Sequence, residues 1–293
     1  LPAINHLPEA QSEALLAAYQ SAVAIKRRRI WLAFIIAVGL YFLSAHIAEV
    51  RPGFLWAHIG NFTSFFSRIA PPLTADNFVG DVKEWYWGIG KWLYLLADTL
   101  LIAYLGTVLG TLGAFLLCFT ASSNLTRNWI ARSLVKRWFE FCRTVPTIVF
   151  AMIFLIAFKS GPMAGVLALT VHTMGALGKL FSEVVENIDM KPVEGTTATG
   201  ASWLETIRFA VLPQTLPNFA SYSLLRFEVN VREAGVMGFI GLGGIGQELL
   251  VAIRTFAYSD VSAILLMIIV TVFAIDMLTE KLRHRLIGSE ASR

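Results

Sequence analysis

Charge is scarce in this sequence. Asp, Glu, Lys and Arg make up 15% of its 293 residues, whereas a soluble domain carries about 25%. With 56% hydrophobic residues and a mean hydropathy of +0.64, the chain is expected to be a membrane protein. The net charge of +4 is not gathered into the basic patch that nucleic-acid binding needs, so no nucleic-acid partner is expected. Cysteine is nearly absent. Cys118 and Cys142 form no CxxC pair and read as packing residues, not as a disulfide or a metal site. The five histidines have no ligand spacing. Low-complexity tracts and internal repeats are missing.

Catalytic signatures are missing too. Gly178-Lys179 is followed by Leu180 and lacks both the upstream glycine and the Ser or Thr of a phosphate-binding loop. ATP hydrolysis by that route is excluded. The run from Gly241 to Gly246 matches GxGxxG, but a dinucleotide site needs a preceding strand. Here an apolar run precedes it, and a tight turn at the outer membrane edge is expected instead. HExxH and the nucleophile elbow are absent. No catalytic residue, metal ligand or cofactor is therefore expected in this chain.

Long apolar runs are what the sequence does contain. A bilayer core about 30 Å thick needs about 20 helical residues to cross it. Six candidates stand out: 30–47, 93–119, 145–158, 163–181, 217–240 and 261–279. The third is short, and Gly161-Pro162 after it predicts a helix pair with a tight outer turn. Lys26, Arg27, Arg28 and Arg29 precede the first span. Arg127, Arg132, Lys136, Arg137 and Arg143 follow the second, and Lys281, Arg283 and Arg285 follow the sixth. Cations gather on the cytoplasmic side, so both termini are placed inside. The expected fold is an all-α membrane protein of six transmembrane helices, N-in and C-in.

Three regions follow. Residues 1–29 read as a cytoplasmic amphipathic segment, helical from about Pro8, lying on the membrane face ahead of a retained signal anchor. Residues 30–92 hold the first span and a periplasmic segment with interfacial aromatics, Phe65-Phe66 and Trp85-Tyr86-Trp87. Residues 93–285 form the core. Gly106 and Gly110, with Gly113 a turn on, form a small-residue stripe suited equally to packing within one chain or to a dimer contact.

The fifth span carries Arg226, Glu228, Asn230, Arg232 and Glu233. A charge at mid-bilayer costs at least about 2.5–3.5 kcal/mol, so this helix must be buried in protein or line water. On a helical wheel Arg226, Asn230 and Glu233 share one face. Glu228 and Arg232 pair at i,i+4 on nearly the opposite face. One stripe is expected to line a pathway and the other to brace the bundle, with Arg232 a candidate for both roles. His172 and Lys179 on the fourth span are further pathway candidates.

The loop between spans four and five, residues 190–213, contains EGTTATGASWLETIRFAVLP from Glu194 to Pro213. Thr196 to Thr199 are small. Gly200 permits a sharp change of direction, and a bulky residue there is expected to uncouple the loop without unfolding it. Trp203, Ile207, Ala210 and Val211 share a helix face, and Pro213 is expected to stop that helix. This pattern resembles the EAA motif of type I ABC-importer permeases, with Gly195 and Thr196 in place of two alanines and Ala210 where a branched aliphatic residue is usual.

The resemblance implies a coupling helix, carried by Glu194, Gly195, Thr196, Gly200, Leu212 and Pro213, that docks on a separate ATPase subunit. The runs from Gly161 to Asp189 and from Phe227 to Leu249 look like the phosphonate-type branch. They imply import of phosphonate or a related oxyanion, phosphite or phosphate, across the bacterial inner membrane. The implied partners are a second copy of the chain, two ATPases that bind ATP and Mg, a periplasmic binding protein and the lipid bilayer. Methionine- and metal-type permeases share part of the second run and remain an alternative. An intramembrane enzyme is the reading from another class; His172 with Lys179 is its only candidate pair and has no partner motif.

Overall fold

A computed structural model describes residues 9–71, 73–74 and 76–288, and every regular element among them is helical. The chain divides between Phe66 and Ser67. The first unit begins with α1, Glu9–Ile47. It continues through α2, Pro52–Ala57, into α3, Ile59–Ile69. None of its described residues is buried.

The sequence predicted a surface helix and a separate span here. The structure has one 39-residue helix instead. Lys and Arg at 26–29 are good helix formers and nothing there breaks the backbone ladder. At 1.5 Å per residue α1 is about 58 Å long. The predicted start near Pro8 lies outside the described residues.

The second unit holds α4, Phe78–Trp85, and α5, Ile89–Ala121. Next come α6, Trp129–Thr144, α7, Thr147–Phe158, and α8, Pro162–Glu186. The short helices α9, Met190–Ala198, and α10, Trp203–Thr206, follow. The unit closes with α11, Leu212–Met237, α12, Ile245–Arg254, and α13, Tyr258–Gly288. Among the described residues four helices are long and apolar enough to cross a bilayer, and the number rises to six when two bent pairs, α6 with α7 and α10–α11 with α12, are each counted as one span.

α6 replaces what the sequence suggested was a cationic loop. The Asn128 side chain starts it by accepting from the Ile130 and Ala131 amides. Val145 and Pro146 then turn the chain by 89° into α7, as expected where proline removes a donor. The predicted turn before α8 is present, with Lys159 at φ 69° and Gly161 at φ 154°.

The core runs along α5, α8 and α11. Gly106 faces Leu169, Gly110 faces Thr173 and Gly113 faces Met174, so the small-residue stripe packs within the chain. A Cβ on Gly110 would lie 2.6 Å from Thr173 Cβ and 2.9 Å from the Thr170 carbonyl oxygen. Gly110→Val should therefore destabilise the purified protein by about 1–3 kcal/mol through overpacking. An unchanged melting temperature in detergent would contradict this.

The two ends of the bundle differ. At one end Lys136 pairs with Glu186 at 2.9 Å, beside α9. At the other Lys91 pairs with Glu248 at 2.6 Å. There the Trp85 indole donates to the Ser259 carbonyl and to Ser262 Oγ, and Trp87 donates to Asp260. The glycine run forms the turn predicted for it. Gly241, Gly243 and Gly244 all have φ between 76° and 93°, a region bulky residues avoid.

Candidate translocation and coupling sites

Asn230 was expected to line a pathway. It is instead fully buried. Its Nδ2 donates to Thr107 Oγ1 at 2.8 Å and to Thr173 Oγ1 at 2.9 Å, joining α11 to α5 and α8. A neutral amide with two hydroxyl partners is satisfied within the core and has nothing left to offer a passing solute.

Arg226 and Glu233, on the same face of α11, do come together. Arg226 Nη2 lies 3.6 Å from Glu233 Oε1, with the side chains 15% and 29% exposed. Arg226 Nε donates to Thr173 Oγ1 at 3.5 Å. Arg226 Nη2 and Glu233 Oε2 are buried and find no hydrogen-bond partner among the described residues. His172 is within electrostatic reach of both charges, and its Nδ1 sits 3.2 Å from the Val145 carbonyl. These three residues form a polar cluster midway along α8 and α11. Lys179 lies seven residues, about 10 Å, along α8 from His172 and pairs with Glu183 at 3.0 Å. It is not part of the cluster.

The opposite stripe faces α13. Arg232 pairs with Glu228 at 2.5 Å and approaches Asp276 at 3.8 Å. Thr279 Oγ1 donates to Glu228 at 3.5 Å. The structure thus places Arg232, a candidate for both stripes, in a brace between α11 and α13. Its partner Asp276 was not singled out from the sequence, because the contact joins residues 44 positions apart.

The coupling segment folds as α9, a turn and α10. Asp189 caps α9, its carboxylate accepting from the Lys191 amide. Glu194 and Gly195 are exposed, Thr196 is half-buried, and Val193 alone in α9 is buried. Gly200 sits at φ 83°. A bulky side chain there strains the backbone by about 1–2 kcal/mol, so the expectation that such a change spares folding is corrected. Ser202 and Glu205 form a capping box at the start of α10. That signature was legible in the sequence as S-x-x-E.

Pro213 was expected to end the helix, and it does not. The chain passes from α10 through a π turn, Ile207–Val211, directly into α11. The Leu212 amide bonds the Ile207 carbonyl, and this wider i→i+5 turn sits just before the residue that cannot donate. Proline at the first turn of α11 is then tolerated. Ile207, Ala210 and Val211 are buried as expected, but Trp203, assigned to the same face, is 45% exposed. Gln214, not singled out from the sequence, accepts from the Asp189 amide at 3.0 Å and donates to the Ala210 carbonyl at 2.7 Å.

A helical bundle with a half-buried charged cluster, and a small-residue helix exposed at one end, fits a membrane permease. The chain belongs to the family of binding-protein-dependent transport system inner membrane components, whose model matches residues 106–287. It is 36% identical over 196 residues to the phosphite transport system permease protein PtxC of Stutzerimonas stutzeri, covering 67% of this chain and 71% of that one. It is 29% identical to the putative phosphite transport system permease protein HtxC of the same organism, covering 95% and 94%. Among solved structures, a bacterial ABC transporter involved in the import of the acidic polysaccharide alginate matches with a TM-score of 0.59 at 14% identity, covering 88% of this chain and 99% of that one. The fold is that of a type I importer permease.

Proposed function

We propose that this chain is the pore-forming subunit of an ATP-driven importer that moves a phosphorus oxyanion (phosphite, phosphonate or phosphate) across the bacterial inner membrane. The observation that carries the cargo class is the Arg226 guanidinium, held mid-bundle with its Nη2 ion-paired at 3.6 Å to Glu233 but without a hydrogen-bond acceptor among the described residues. A tetrahedral oxyanion supplies such an acceptor, and guanidinium suits it in geometry and charge. His172 adds a second polar group, while Glu233 opposes tight capture. A transport path must release its cargo, so weak binding is the useful state. The identity to permeases named for phosphite transport supports the same reading.

Two copies of the chain would form the pore. Two separate ATPase subunits would bind ATP and Mg and dock on α9, and a periplasmic protein would deliver the oxyanion. The exposed surface of Glu194 and Gly195 supports docking, because nothing in this chain requires a small residue at position 195. Uptake of phosphite, methylphosphonate and phosphate should be measured in cells lacking other phosphorus importers and expressing this permease with its ATPase and binding protein. Uptake of at least one is expected. Uptake of methionine or a metal ion, with none of the three oxyanions, would refute the cargo class.

A further inference from the structure

Gln214 stands in the first turn of α11, beside Pro213, and its amide makes three hydrogen bonds. Oε1 accepts from the Asp189 amide at 3.0 Å, and Nε2 donates to the Asp189 carbonyl at 3.2 Å and to the Ala210 carbonyl at 2.7 Å. Asp189 is the residue that caps α9, and Ala210 lies in the π turn. One side chain therefore ties the start of α9, the π turn and the start of α11 together.

The covalent route between α9 and α11 is a slacker connection. It passes through Gly200, at φ 83°, where no neighbouring atom would meet even a Cβ. Val193 adds apolar contact with the cluster that contains Ile207, Ala210 and Val211, but apolar contact is non-directional and can slide. The Gln214 bonds fix both position and orientation. Beyond them α11 runs to Met237 and carries Arg226, 12 residues or about 18 Å further on, and then Glu233.

We propose that Gln214 is the positioning residue that transmits movement of the coupling helix α9 to the pathway helix α11. Displacement of α9 by the ATPase pulls on Asp189 and, through Gln214, shifts the axis of α11 and the Arg226–Glu233 cluster with it. The inference rests on the importer reading above. π turns often mark functional positions in helices, and here the turn gives the start of α11 room to move without breaking the helix.

The test uses the whole complex of permease, ATPase and binding protein in proteoliposomes. ATP hydrolysis is recorded together with uptake of phosphite, phosphate and methylphosphonate. Gln214→Met keeps the length and volume of the side chain and removes all three bonds. The complex should assemble and hydrolyse ATP near the wild-type rate, while oxyanion moved per ATP falls about tenfold or more, tenfold being the scale of a single hydrogen bond of ordinary net strength. Gln214→Glu keeps the acceptor for the Asp189 amide and should fall in between.

An unchanged ratio in Gln214→Met, beside a working wild type, overturns this inference alone. Uptake and hydrolysis falling together with loss of assembly also overturn it, since the residue would then serve folding only. A wild-type complex that moves none of the three oxyanions overturns the importer reading, and this inference with it.

Discussion

A Gly195→Trp permease is expected to reach the membrane folded and to import almost nothing. Gly195 lies inside α9 and is exposed, and a Cβ added there meets no atom within 4 Å. Tryptophan is a better helix former than glycine by about a few tenths of a kcal/mol, so the permease itself should not weaken. Under the proposed docking of the ATPase on α9, the damage falls on that contact. A bulky side chain pushed into a fitted groove costs about 1–3 kcal/mol, and a complex of two copies meets that cost twice. Uptake should therefore drop by about tenfold or more, with the melting temperature unchanged. Gly195→Ala, which restores the alanine usual in the motif, should import normally. Wild-type uptake by Gly195→Trp would remove α9 from the ATPase contact. Gly200 is a poorer place for this test, because its φ of 83° confuses strain with lost docking.

The second large effect concerns the mid-bundle ion pair. Arg226→Met leaves the Glu233 carboxylate facing the interior without its cation. Breaking a buried pair from one side costs about 3–5 kcal/mol. The partial exposure of Glu233 at 29% places the expected loss toward the lower value. The single variant should express poorly and melt early in detergent. Adding Glu233→Gln removes the stranded charge and should recover most of the stability. Uptake should not recover, because the guanidinium offered to the oxyanion is still missing. A double variant that imports phosphite, phosphonate and phosphate like wild type would show that the cluster lies off the path.

These two sites were not equally legible in the sequence. The coupling segment could be read because its features are local. Small residues at 195–199 and a glycine at 200 act within a few positions of each other. The charged helix was legible only as two stripes. Which stripe faces what depends on neighbours far away in the chain, Thr107, Thr173 and His172 on one side and Asp276 and Thr279 on the other. Asn230 shows the difference. Its position on the wheel matches Arg226, yet two threonines from other helices convert it from a candidate lining residue into a core bond. Local rules also missed the continuity of the chain at two joints. The helix runs unbroken through Lys26, Arg27, Arg28 and Arg29 into the first span, and Pro213, which looked like a stop, follows a π turn that absorbs it.

By itself the sequence determined that the chain is a polytopic helical membrane protein with a small-residue segment between its fourth and fifth spans and a charged fifth span. Those properties follow from charge scarcity, run length and residue size, which act locally and leave their mark in composition and spacing. The tertiary structure alone decided that the glycine stripe on α5 packs against α8, that Arg232 braces α13 while Arg226 and Glu233 stay together, and that Gln214 ties α9 to α11. Each of these is a contact between residues brought together by packing. Its strength depends on distance and orientation in space, and sequence spacing carries neither.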